Sequence, residues 1–216
     1  MAAVGEGADR TARCRGCSCL LPPSPPPSPP PFHHPKMPGP VIVSGGAAGA
    51  DARWAAAAAE ARLCLLIATF RGHTRKGPAA RGAKLLLLTP RAAKEADEAL
   101  AAAAQALGRT LPVPSSYSRR LLRRNYILVR DCDALFGVGR LACRQTGAVS
   151  GGTGWAFGMF AAQHKGASLL PMFLFDLDTL CWRRASRAGD ALCWKEIPSP
   201  PCAFSYRRVA CVGSRS

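Results

Sequence analysis

Two glycine-rich segments with nearly the same pattern are the strongest chemical signal in this 216-residue chain. The first, 44–51, reads SGGAAGAD and follows a short apolar run, the second, 150–155, reads SGGTGW, and each leads into an expected helix. Glycine lets the backbone turn sharply and approach a ligand closely because it has no Cβ atom. The helix start beyond it offers free N–H groups and the positive end of a dipole. The pattern predicts an anion such as phosphate between two helix N-termini, at Gly45, Gly46, Gly49, Gly151, Gly152 and Gly154.

Polar side chains in these segments are further candidate ligand-binding groups. The hydroxyl groups of Ser44, Ser150 and Thr153 can donate to phosphate oxygens, or can cap the helices that follow. Asp51 can bind a ribose hydroxyl, or can complement the dipole of the helix in whose first turn it lies. Trp155 can stack on a base or pack into the core. The sequence leaves both interpretations of each residue open.

Arg124 and Asn125 lie in a segment, from 115 or 116 to about 130, that has the periodicity of a helix. Asn125 falls inside the apolar arc of that helix, where a polar amide must be satisfied by protein, water or ligand. The arginines at 119, 123 and 130 fall on the opposite face. Because a guanidinium group is a fork that fits phosphate, we expect Arg124 and Asn125 to assist in binding. The alternative is a solvated arginine beside a core asparagine.

Elements around these motifs alternate between strands and helices from residue 40 onwards. We expect strands at 41–43, 63–70, 133–138, 171–177 and 208–212, and helices at 52–62, 89–107, about 116–130 and 153–164. Beyond 179 the chain is expected to be irregular, apart from the last strand. Such alternation predicts a parallel sheet with helices on both faces. Ligands bind such sheets at the carboxyl ends of the strands, where both glycine segments must lie.

Composition limits the classes of protein to be considered. No apolar run approaches the ~20 residues that span a bilayer, so we expect a soluble protein without a membrane partner. The formal net charge of +16 favours a nucleic acid or a small phosphorylated ligand, or reflects an arginine-rich compositional bias alone. Seven of the ten cysteines are scattered without paired spacing, whereas Cys14, Cys17 and Cys19 form a cluster that has no nearby second pair. A zinc site there would need His33 or His34 as a fourth ligand. Reduced thiols and a cytoplasmic location are therefore expected, with targeting to an organelle left open.

The first 38 residues differ from the rest because prolines dominate 22–31. Such a tract has few backbone donors and favours solvated polyproline II. We expect a disordered leader at 1–38 and one folded domain at 39–216.

The motifs at 44–51, 124–125, 133–136, 151–156 and 175–176 occur in an order that resembles the SLOG superfamily of Rossmann-like domains. This superfamily includes DNA-processing protein A, the cytokinin-activating phosphoribohydrolases and molybdenum-cofactor carriers. The resemblance covers about 41–182 and is closest to uncharacterised members. It implies a single α/β Rossmann-like domain, with a mostly parallel sheet flanked by helices, that binds a nucleotide or nucleotide-derived ligand. It also adds Asp176, in the Phe175-Asp176 motif, to the ligand-binding residues.

The resemblance does not imply catalysis for this chain. The phosphoribohydrolases carry P-G-G-x-G-T-x-x-E, and the position of that glutamate is Gly158 here. We therefore expect non-covalent binding of an unidentified phosphorylated ligand, as a sensor, carrier or effector component. One alternative is a nucleotide N-glycosidase that uses Asp133 or Asp176 instead. The other is a basic nucleic-acid-binding module like DNA-processing protein A, with an arginine-rich face at 119, 120 and 123. The superfamily often forms dimers, so the resemblance also implies a homodimer, although no residue pattern in the sequence demands one.

Overall fold

The computed structural model describes residues 39–73, 83–167, 169–189 and 191–213. All of them belong to one compact unit. The leader expected at 1–38 lies outside the described residues.

The described chain forms ten strands, four α-helices and one short 3-10 helix at Ala203–Ser205. The helices are α1 (Ala50–Glu60), α2 (Pro90–Leu107), α3 (Tyr117–Val129) and α4 (Gly151–Gln163). The strands are β1 (Val41–Ser44), β2 (Leu65–Thr69), β3 (Lys84–Leu87), β4 (Ala134–Gly139), β5 (Leu141–Cys143), β6 (Ala148–Val149), β7 (Leu169–Asp176), β8 (Cys181–Ala188), β9 (Ala191–Glu196) and β10 (Arg208–Gly213). Each predicted helix and strand is present within a few residues of its expected bounds.

Eight strands form one sheet in the order β3-β2-β1-β10-β4-β7-β8-β9. The six strands from β3 to β7 are parallel, whereas β8 and β9 are antiparallel to their neighbours. Strands β5 and β6 form a separate antiparallel hairpin. The sheet is therefore mostly parallel, as expected, with an antiparallel extension at one edge.

The expectation of irregular structure beyond 179 was wrong for β8 and β9. Strand β8 contains three arginines, which interrupt the apolar pattern that would have indicated a strand. Each of them finds a partner only in the folded protein. Arg183 pairs with Asp176, Arg184 lies over the Phe173 ring, and Arg187 donates to the Ala161 carbonyl. The edge strand β3 and the β5–β6 hairpin are further elements that the sequence did not predict.

Helices cover both faces of the sheet. Helices α2, α3 and α4 pack on one face, in a core that includes Leu100, Leu128 and Phe160. Helix α1 packs on the other face, in a core that includes Ala55, Ile67 and Phe136. Since β1 leads into α1 and β4 leads to α4, the chain leaves these two strands toward opposite faces. Strand β10 lies between them, so a crevice opens at the carboxyl ends of these strands, where α/β sheets bind ligands.

Helix α2 begins and ends with the residues that the sequence indicated. The Thr89 hydroxyl accepts a hydrogen bond from Ala92 N at 3.2 Å, and Pro90 occupies the first turn. At the other end Gly108 has φ 60° and ψ 37°, a left-handed conformation that glycine adopts without steric cost. None of the described helices combines the length and the apolar character that crossing a membrane requires.

The arginines of α3 pack against α2. Asp97 of α2 accepts from Arg119 Nε at 3.0 Å and from Arg123 Nη2 at 2.7 Å. The side chain of Arg119 is only 8% exposed, and Arg130 pairs with Glu95 and Asp131. Asp97 therefore offsets part of the positive charge of Arg119 and Arg123 between the two helices.

Candidate functional site

A cavity of about 470 Å³ lies in the crevice at the carboxyl ends of β4 and β10. Its walls come from both glycine segments, from the ends of these two strands, from α3 and from the loop that follows α2. The lining residues are Ala47, Asp51, Arg109, Pro112, Ser118, Leu121, Leu122, Arg124, Asn125, Gly139, Ser150, Gly151, Gly152, Thr153, Trp155, Val212 and Gly213.

The start of α4 forms the polar end of this cavity. Ser150 is the N-cap residue, but its hydroxyl makes no capping hydrogen bond. The first N–H groups of a helix have no acceptor within the helix. The carbonyls of Gly151 and Gly152 accept from Arg109 Nη1 at 3.3 Å and from Asn125 Nδ2 at 3.1 Å. These bonds fix the peptide planes that also carry the N–H groups of Gly152 and Thr153.

Thr153 combines burial with an unused hydroxyl group. The residue is 6% exposed, and its methyl group lies 3.3 Å from where a Cβ atom at Gly137 would stand. It lines the cavity, and within the described part of the chain no group forms a hydrogen bond with its hydroxyl. Since this oxygen is not among the buried polar atoms that lack a partner, it is open to the cavity and can donate to or accept from a ligand there.

The first glycine segment is closed by protein contacts. The Ser44 hydroxyl donates to the Asp51 carbonyl at 3.1 Å, and Asp51 Oδ2 accepts from Ala47 N at 3.4 Å. The backbone turns through left-handed conformations at Gly46 and Gly49, with φ 63° and 88°. Of this segment only Ala47 and Asp51 line the cavity. The structure therefore does not bring Ser44, Gly45, Gly46 or Gly49 to the cavity wall.

Arg124 and Asn125 connect the two glycine segments. Arg124 Nη1 donates to the Gly45 carbonyl at 2.6 Å, and Arg124 Nη2 donates to Asn125 Oδ1 at 3.0 Å. The Asn125 amide in turn donates to the Gly152 carbonyl. Both residues are buried, at 7% and 5% exposure. The chain of bonds thus runs from the loop after β1 to the start of α4, and protein atoms satisfy the amide at both ends.

Asp51 is the acidic partner in this network. Its Oδ2 lies 3.4 Å from Arg124 Nη1, and the residue is 3% exposed. Burial raises the pKa of Asp51, although the charge of Arg124 and the N–H of Ala47 oppose the effect. The Arg124 guanidinium therefore contacts a buried carboxyl group and a backbone carbonyl of the protein.

Arg109 is a lining residue that sequence reasoning missed. It follows the helix-ending Gly108, and its Nη2 donates to the Val149 carbonyl at 2.6 Å. Its guanidinium lies over the Trp155 ring, 5.9 Å from the centroid. Trp155 is 8% exposed, and it belongs to the core while also lining the cavity. No local signal distinguished Arg109, since it is one of 29 basic residues and lies in a loop.

Two positions that the resemblance singles out, Asp176 and Gly158, do not line the cavity. Asp176, at the end of β7, accepts from Thr179 Oγ1 and Arg183 Nε, both at 3.0 Å, and does not line the cavity. Burial acts to raise the pKa of Asp176, but the hydrogen bonds and the charge of Arg183 outweigh it and lower the pKa. Gly158 faces α2, where an added Cβ atom would lie 2.9 Å from Leu107 Cδ1. A carboxylate at that position would enter the helix interface instead of the cavity.

Other candidate chemistry is sparse in the described part of the chain. No three histidine, cysteine, aspartate or glutamate side chains among those residues come together as metal ligands.

The chain matches no protein-family model, no curated protein and no solved structure.

Proposed function

We propose that this protein binds a phosphorylated nucleotide or nucleotide-derived ligand in the cavity at the start of α4. It would act as a sensor, carrier or effector component, with the phosphate at Ser150, Gly151, Gly152 and Thr153. The observation that carries the proposal is Thr153, a buried residue that lines the cavity beside a helix N-terminus and whose hydroxyl makes no hydrogen bond to another described residue. A helix start with free N–H groups and hydroxyls suits a phosphate.

The remaining walls support an amphiphilic ligand. Part of the cavity wall is apolar and suits a base or a similar ring. This part consists of Pro112, Leu121, Leu122 and Val212. A volume of about 470 Å³ lies within the range of about 300–1,000 Å³ that is typical of small-molecule sites. The resemblance of the motifs to the SLOG superfamily, and with it a Rossmann-like fold, supports the same class of ligand.

Binding is favoured over the enzymatic alternative because carboxylates are scarce at the cavity. Asp51 is the single acidic residue among its described lining residues, and it is paired with Arg124. Asp133 instead accepts from the backbone N–H groups of Arg207 and Arg208, at the start of β10. Asp176 is tied to the turn after β7. Among the described lining residues, Asp51 is therefore the one carboxylate that could serve as a general acid or base for glycosidic cleavage.

The described cysteines support a reducing compartment. All seven of them are free thiols, whereas oxidising compartments favour disulfides. We therefore place the proposed function in the cytoplasm.

The test is a thermal-shift panel on the full chain. The panel contains mononucleotides, dinucleotides, ADP-ribose and short single-stranded DNA. A ligand at 100 times its Kd adds about 2.7 kcal/mol to the free energy of unfolding, which raises Tm measurably. We expect one class of small nucleotide to raise Tm of the wild type and to have no effect on Gly152→Phe.

The matched control is Ala102→Phe, which adds the same ring at an exposed position of α2. This variant is expected to respond to the ligand like the wild type. Undiminished binding by Gly152→Phe would contradict the proposed site. Stabilisation by DNA alone would favour the nucleic-acid alternative.

A further inference from the structure

We infer that Arg109 is the arginine that contacts the phosphate of the ligand, whereas Arg124 is a positioning residue that holds the two glycine segments together. This inference rests on the proposed function and reverses the assignment that the sequence favours. It follows from what each guanidinium group already binds in the protein.

Arg124 is committed to protein atoms. Its Nη1 contacts the Gly45 carbonyl and the Asp51 carboxylate, and its Nη2 contacts Asn125 Oδ1. The side chain is 8% exposed, and the carboxylate that balances its charge is 4% exposed. Turning this guanidinium toward a ligand would break a buried ion pair and leave the Gly45 carbonyl without its donor, which is costly.

Arg109 has the opposite balance of contacts. It is half-buried at the cavity wall, and its two hydrogen bonds go to neutral carbonyls, those of Val149 and Gly151. Among the described residues no carboxylate forms an ion pair with it. A guanidinium group has five N–H donors, so these two bonds leave donors and a full positive charge for an anion.

The contacts of Arg109 also orient it toward the start of α4. The Val149 and Gly151 carbonyls flank Ser150, the N-cap residue, on both sides along the chain. A side chain fixed in this way loses little conformational freedom when it binds a ligand. Burial lowers the pKa of Arg109, which is consistent with a cation that gains from an anionic partner.

The contacts around Gly154 explain why the second glycine segment needs a glycine at this last position. A Cβ atom there would lie 1.9 Å from the Val149 carbonyl oxygen and 2.9 Å from Arg109 Nη1. Glycine at 154 therefore allows the Val149 carbonyl, to which Arg109 Nη2 donates, to lie against the first turn of α4 with Arg109 beside it. By contrast, Gly151 and Gly152 are exposed at the helix start.

The test compares Arg109→Gln and Arg109→Lys in the full chain, with the four ribonucleoside 5′-monophosphates as probes in calorimetric titrations. Loss of a charge-assisted hydrogen bond lowers affinity roughly 10- to 100-fold, which we expect for Arg109→Gln. Arg109→Lys keeps the charge but loses the fork, so its affinity should lie between those of the wild type and Arg109→Gln. Arg53→Gln removes the same charge at an exposed position of α1 and should bind within twofold of the wild type.

The outcomes separate the inference from the proposed function. If the wild type binds a monophosphate and Arg109→Gln binds it equally well, the inference is wrong and the proposed function stands. Equal losses in Arg109→Gln and Arg109→Lys would show a structural role for the carbonyl bonds and would also overturn it. If the wild type binds no member of the thermal-shift panel and no monophosphate, both fall together. Affinity for a monophosphate that falls in the order wild type, Arg109→Lys, Arg109→Gln supports both the inference and the proposed function.

Discussion

Gly45 and Gly152 each lie in one of the two glycine segments, yet we predict opposite responses to alanine. An added Cβ atom at Gly45 would lie 1.8 Å from Arg124 Nη1 and 2.3 Å from Asp51 Oδ2. At Gly152 the same atom meets only Asn125 Nδ2, at 3.8 Å, which is ordinary contact. Gly45→Ala must therefore displace a buried ion pair, whereas Gly152→Ala fits.

The magnitude follows from the contacts that Gly45→Ala disrupts. Moving the guanidinium lengthens the 2.6 Å bond to the Gly45 carbonyl and separates Arg124 from Asp51. Breaking a buried pair costs about 3–5 kcal/mol, and we take about 3 because the pair is already 3.4 Å apart. For a domain of this size each kcal/mol lowers Tm by about 2–4 °C, so a fall of roughly 6–12 °C is expected. Gly152→Ala should change the free energy of unfolding by no more than about 0.5 kcal/mol.

Urea and thermal denaturation of both variants and the wild type, followed by circular dichroism, measure this contrast. The wild-type m-value should be retained, because a change in m would indicate altered compactness of one of the states. If Gly45→Ala and Gly152→Ala have the same stability, the packing of Arg124 against Gly45 is refuted. The first glycine segment would then not be closed by these protein contacts.

Two further predictions concern titratable groups. The hydrogen bond from Arg123 holds the pKa of Asp97 low, against the opposing effect of burial. Asp97→Asn should therefore cost about 1 kcal/mol at neutral pH, discounted for partial exposure. This difference should vanish as pH falls below about 3.9 through the folded-state pKa; a difference constant with pH in denaturation curves would contradict it. Burial raises the pKa of Cys132 to about 12 and also raises that of Cys211, whereas hydrogen bonds, chiefly from the Thr146 side chain, lower the pKa of Cys143. In peptide-resolved thiol labelling at pH 8, Cys143 should react early and the two buried cysteines last; rapid labelling of Cys211 in native protein would contradict its placement in β10.

The fold was largely predictable from local signals. Helix α2 begins after Thr89, at Pro90, and ends before Gly108, as the sequence indicated. Such limits can be predicted because capping and backbone preferences act over a few residues. The strands with continuous apolar runs were found for a similar reason. Strands β8 and β9 were missed because their polar side chains are stabilised by partners far along the chain, such as Asp176 for Arg183.

The site was predicted only in part, because a local sequence pattern does not show which distant residues lie close together in the folded protein. One cavity is lined by six of the predicted ligand-binding residues, namely Asp51, Arg124, Asn125, Gly151, Gly152 and Thr153. Gly154 packs beside this cavity. Asp176 lies at the end of β7 and is held by its own neighbours. Arg109 enters the cavity wall from a loop that carries no motif.

The sequence alone determined that two glycine turns must stand at strand-to-helix junctions, since glycine content and strand–helix alternation are local properties of the chain. It could not determine which junction is open. That was decided by tertiary contacts across 79 residues, where Arg124 fills the first loop at Gly45, and across 42 residues, where Arg109 reaches the second at Gly151. The physical reason is that a buried guanidinium group must find acceptors wherever packing places it, and packing placed one arginine at each loop.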